Sequence, residues 1–146
     1  MITNTLSLLF DLNLKKLISE IELYKNEDDI WRIEKNISNS AGNLVLHIIG
    51  NLNTYIGKEI AKNNYVRNRE LEFSTKNIPR KDLIESITEI RQVINKSLKT
   101  LTHKDLKREY PLLVLSEMTI TEYLLVHLAT HLSYHLGQIN YHRRFI

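Results

Sequence analysis

Leu6, Leu9, Phe10, Leu14, Leu17, Ile21 and Tyr24 recur at intervals of three and four and predict a first helix over residues 3–25. The polar run Asn26-Glu27-Asp28-Asp29 ends it, and Trp31 follows in a short connection. Ser38, Asn39 or Ser40 can cap a second helix, whose buried side carries Leu44, His47, Ile48, Leu52, Tyr55, Ile56 and Ile60. Gly50 and Gly57 lie inside that pattern. Each costs roughly 1 kcal/mol relative to Ala in a helix, a cost that close approach of a neighbouring segment would explain. Residues 62–78 are polar and read as a long surface loop. Pro79 suits a helix start, and Leu83, Ile84, Ile87, Ile90, Val93, Ile94, Leu98 and Leu101 predict a third helix to about residue 102. A second long connection spans residues 102–116, with Pro111 inside it and an extended stretch expected at 112–115. Thr119-Ile120-Thr121-Glu122 matches a capping box and opens a fourth helix that runs almost to Ile146.

Four helices of roughly 22 to 26 residues around one core predict an all-α four-helix bundle. Connections of about 13 to 17 residues exceed what simple antiparallel hairpins need. With 146 residues, one domain over 1–146 is expected. Only 4 Gly and 2 Pro punctuate the chain, which agrees with long helices rather than a turn-rich β architecture.

Composition narrows the chemistry. No Cys is present, which excludes disulfides, thiolate metal ligands and a cysteine nucleophile. The formal charge of +3 is spread among acids, as in Lys15-Lys16 before Glu20 and Glu22, so it reads as solvated helix faces. No basic stripe with interleaved aromatics points to nucleic acid. The first residues lack a basic leader and meet Asp11 early, and no apolar run is long enough to span a membrane. A soluble, cytoplasmic protein is expected.

The chemistry concentrates in the fourth helix, where His127, His131 and His135 are spaced four apart. Residues at i and i+4 share a helix face, so two such imidazoles can close on one divalent ion. On a helical wheel His135 falls within the arc of Leu124, Leu128, Leu132 and Ile139. His131 lies at its border and His127 farther out. Two inward imidazoles without partners would be costly to desolvate, and a metal supplies one partner for both. The competing reading is a structural, hydrogen-bonded pair. His47, between Leu44 and Ile48, is the natural third ligand. His103 reads as a solvated cap at a helix end, and His142 as an exposed residue near the terminus.

The segments Asn39-Ser-Ala-Gly-Asn-Leu-Val-Leu-His47 and His131-Leu-Ser-Tyr-His135-Leu-Gly-Gln138-Ile139, with Trp31 ahead of them, resemble the DinB-like superfamily of bacterial four-helix-bundle proteins. The resemblance covers the whole chain in helix order, but only these segments are specific. It implies a metal triad of His47, His131 and His135, with His127 as a pocket neighbour, and a homodimer formed through helix faces. It also implies thiol chemistry, since several such proteins are similar to transferases or isomerases that use low-molecular-weight thiols. The chain ends at Ile146, so a longer C-terminal tail that shapes a pocket elsewhere in the superfamily is not expected here.

Three neutral histidines on a divalent ion leave a position for water or substrate, the open arrangement of catalytic sites. Bound water or a bound thiol would be deprotonated more easily, giving a nucleophile near neutral pH. Asn51 and Gln138 could orient a substrate or simply satisfy nearby backbone. Tyr55, Tyr134 and Trp31 could wall a pocket or only pack. No Asp or Glu stands one turn from a proposed ligand to act as general base, and Glu122 is taken up by its cap. The reading reached is a zinc- or nickel-dependent enzyme acting on a small molecule, with thiol S-transfer ahead of hydrolysis. Its rivals are a non-catalytic metal-binding or stress-related homodimer, and an assembly module whose histidines only pack.

Overall fold

The computed structural model describes residues 1–146. It is all-helical: α1 Ile2–Glu22, α2 Ala41–Leu52, α3 Arg69–Ser74, α4 Arg80–Leu98, α5 His103–Lys107 and α6 Thr121–Phe145. A 3-10 turn, Glu27–Trp31, follows α1, and a π-helical turn, Asn53–Lys58, extends α2. The only extended pairing is an isolated bridge between Glu109 and Ile120. No helix is long and apolar enough to cross a membrane.

One apolar cluster joins the four longer helices, with Phe10, Leu14, Leu17 and Ile21 of α1 meeting Ile48 and Leu52 of α2, Ile87 and Ile94 of α4, and Leu128, Leu132 and Ile139 of α6. Helix α1 packs on α4 and α6, while α2 packs on α4, α6 and α3. Polar ties sit at the margins of this core. Asp11 accepts from Arg91 Nε at 2.6 Å and Asn95 Nδ2 at 3.1 Å, joining α1 to α4. Glu20 accepts from Asn140 Nδ2 and Arg143 Nε, each at 2.6 Å, joining α1 to α6.

Several expectations from the sequence are corrected. The second helix does not run regularly to residue 60: α-helical spacing ends at Leu52, where Asn53 Nδ2 donates to the Ile49 carbonyl and Thr54 Oγ1 to the Gly50 carbonyl. Such side-chain bonds compete with the regular backbone ladder. The stretch 62–78 is not a plain surface loop, because Asn68 accepts from the Leu71 amide and caps α3. The third helix stops at Leu98 rather than near 102. Thr102 and Asp105 then form a reciprocal capping box that opens α5, with His103 in its first turn. No strand forms at 112–115. The box expected at residues 119–122 is absent: Ile120 precedes α6, Thr121 Oγ1 donates to the Arg108 carbonyl, and Glu122 pairs with Lys107.

His142 is the largest correction among the histidines. It is buried rather than exposed. Its Nε2 lies 2.8 Å from the Arg32 carbonyl and its Nδ1 lies 2.6 Å from the Tyr24 hydroxyl. A neutral ring with Nε2–H donating to Arg32 and Nδ1 accepting from Tyr24 satisfies all three groups. Burial, ahead of the nearby Glu20 charge, raises the Tyr24 hydroxyl well above its ordinary pKa, which keeps it a donor.

Candidate metal centre

The centre forms where α2 faces the middle of α6. His47 comes from α2 on the buried side of an apolar run. His131 and His135 come from consecutive turns of α6 and are partly buried. His131 Nε2 lies 3.3 Å from His47 Nε2 and 3.1 Å from His135 Nε2. One nitrogen from each of the three rings lies within 4.8 Å of the other two, so the group could hold a metal ion. Zinc–nitrogen bonds of about 2.0–2.1 Å in tetrahedral geometry put neighbouring donors about 3.3–3.4 Å apart. The two separations from His131 Nε2 are close to that edge length.

The protons on the outer nitrogens decide what the inner ones can do. His47 Nδ1 lies 3.0 Å from Glu72 Oε1, where it donates to the carboxylate. His135 Nδ1 lies 2.7 Å from Gln138 Oε1 and donates likewise. Both rings then carry a lone pair, not a proton, on Nε2. Those two lone pairs point at His131 Nε2, and a single proton there could serve only one of them. A cation between the rings satisfies all three nitrogens at once. Burial, and then the neighbouring His135 and His47, push the His131 pKa down to about 4, so its ring is neutral at pH 7. Burial also lowers His47, against the opposing pull of Glu72.

Glu72 was not legible in the sequence. It projects from α3 and is 5 % exposed. Arg67 braces it, with Nε donating to Oε2 at 2.8 Å and Nη2 donating to Oε1 at 3.0 Å. The arginine also stands 5.8 Å from the centre of the Tyr55 ring. A histidine ligand held by a carboxylate through its far nitrogen is the usual outer arrangement of metal sites, fixing the tautomer and raising ligand basicity. Helix α3 is placed by Asn43, whose Nδ2 donates to the carbonyls of Glu72 at 2.9 Å and Thr75 at 2.8 Å.

The other candidate residues occupy different surroundings. Gln138 is exposed and meets the centre through His135. The His127 ring centre is 6.3 Å from that of His131, one turn outward. Tyr55 is partly buried and approaches only through Arg67. Asn51 is buried, and its Oδ1 has no hydrogen-bond partner. Trp31 packs on α2 at Gly42, where a Cβ would fall 2.6 Å from its ring. It is a packing residue here, with its indole N–H unpartnered. Tyr134 is exposed and stands edge-on to His135, ring centres 5.4 Å apart.

The model of a family described as "Protein of unknown function (DUF1572)" matches residues 10–146. No curated protein matches the chain.

Proposed function

We propose a function for a chain that belongs to the DUF1572 family over residues 10–146: a metal-dependent enzyme acting on a small molecule, built as a four-helix bundle of the DinB-like type. The observation that carries this reading is the convergence of three imidazole nitrogens, two of them with their outer N–H groups already engaged. Zinc or nickel suits three neutral nitrogen donors, although ligand type alone does not choose between them. When bound, the ion supplies Lewis-acid stabilisation of an anionic oxygen or sulfur at its free position.

The chain's own residues favour a thiol over water as the nucleophile. Hydrolysis draws on a nearby base to take protons, and the one carboxylate at the centre is committed to Arg67 and His47. A thiol needs less help, because it ionises far more readily than water. Glu72 and Gln138 hold their histidines in one tautomer, and Arg67 keeps Glu72 from turning toward the centre. The same reading makes the protein a homodimer, supported by Leu8 and Leu12, which lie one turn apart on α1 and are 72 % and 49 % exposed.

Metal content tests the reading directly. Purified protein should carry about one zinc or nickel per chain, since each chain has one three-histidine group that would hold it. His131→Ala should abolish it. Cobalt-substituted protein should then change its visible spectrum when a low-molecular-weight thiol is added. Protein without stoichiometric metal, or with a spectrum indifferent to thiols, overturns the metal reading or the thiol reading respectively.

A further inference from the structure

A cleft of about 500 Å³ opens directly beside the metal centre, between the connection 35–39 and the last turns of α6. Two of its wall residues, His135 and Gln138, belong to the centre itself. Its volume lies in the range of small-molecule sites, roughly 300–1,000 Å³.

The lining has a definite chemical character. Ile37, Leu44, Tyr141 and Phe145 supply an apolar and aromatic surface. Lys35 is the one lysine or arginine on the wall, and no Asp or Glu lines it. His142 offers the cleft no free polar atom, because both ring nitrogens are taken by Tyr24 and Arg32. Gln138 is different. Its Oε1 is occupied by His135, which leaves the amide N–H groups of this wall residue free to donate. The cleft thus pairs an apolar surface with one cation and the neutral polar side chains of Asn36, Ser38, Asn39 and Gln138, and offers a ligand cation no counter-charge.

Resting on the reading of the three histidines as a metal centre, we propose that this cleft receives the organic substrate: a small molecule with an apolar body and a single anionic group. Lys35 holds the anion, the aromatic wall covers the body, and Gln138 joins the bound molecule to the ligand His135.

Octanoate is a suitable probe, with octylammonium and acetate as controls that remove the negative charge or the apolar body. Titration of isotope-labelled full-length protein, followed by amide NMR shifts, should place octanoate against residues 35–39 and the Gln138 side chain. Octylammonium should bind at least fivefold more weakly, and acetate at least tenfold. Lys35→Glu, a substitution at an exposed position, should weaken octanoate at least fivefold. Equal binding of octanoate and octylammonium, shifts confined to other surfaces, or affinity untouched by Lys35→Glu overturns the proposal. The same titration on His131→Ala separates the two readings. Lys35-dependent binding that survives there supports the cleft whatever the metal result. Octanoate that binds only to metal-loaded protein, independently of Lys35, rejects the cleft and leaves the metal centre standing.

Discussion

The carboxylate of Glu72 fills the space that a side chain on residue 50 would need. A Cβ added to Gly50 would lie 2.5 Å from Glu72 Cδ and closer still to Oε2. A glycine in the last turn of α2 is therefore what admits the acid that orients His47, one helical turn away. Gly50→Ala should raise helix propensity by about 1 kcal/mol. It should also drive Glu72 from its place, which breaks bonds to both Arg67 and His47. The expected result is a folded protein with roughly tenfold or greater loss of metal affinity, measured by competition with a chelator. Unchanged affinity would show that Glu72 does not depend on the glycine.

Glu72 itself gives a graded series. Glu72→Gln keeps an oxygen able to accept from His47 Nδ1 but loses the charge, whereas Glu72→Ala loses both and strands Arg67. Metal affinity should fall by roughly 10- to 100-fold for Ala, and by less for Gln. Chelator competition on both variants checks the order. If Gln and Ala are equally impaired, the hydrogen bond matters less than the carboxylate charge.

The buried His142 is separable from the metal. Replacing it by Ala leaves the Tyr24 hydroxyl and the Arg32 carbonyl without their partner, at about 1–3 kcal/mol for such a loss. Urea unfolding should show that destabilisation while metal content stays at the wild-type level. Loss of metal in this variant would instead tie His142 to the centre.

Acid should act on the metal-free protein in two stages. His131 is held near 4 in the fold against an ordinary value of 6.5. The unfolded chain therefore binds the extra proton first, and stability present above pH 6.5 falls as the pH drops toward about 4. Asp11 extends the loss to lower pH: bonds from Lys15, Arg91 and Asn95 hold it below its ordinary 3.8. For Glu20, burial alone would raise the pKa, but Arg143 and Asn140 outweigh it and hold the group below 4.5. Both carboxylates contribute above those ordinary values and cease to do so as pH falls through their lowered ones. Urea unfolding across pH 2 to 7 should show the upper stage and the onset of the lower one in apo protein, with the upper one reduced in His131→Ala. A flat profile between pH 6.5 and 4 would contradict the placement of His131.

Periodicity alone determined the helical class, the four longer helices and most of their buried residues, because an apolar face repeats locally and needs no partner to be seen. The i, i+4 spacing of His131 and His135 was legible for the same reason, and so was His47 among its apolar neighbours. What only the tertiary structure decided were contacts between residues remote in sequence. Glu72 lies 25 positions from His47, in a segment whose polarity resembled a solvated loop. The Asn68 cap followed by acids was a local sign of α3, but nothing local says which acid turns inward. His142 misled because flanking arginines suggested solvent, while Tyr24 and the Arg32 carbonyl, more than 100 residues earlier, enclose it. Gly50 carried the one local trace of the hidden partner: a helix tolerates that residue within an apolar run when something must come close.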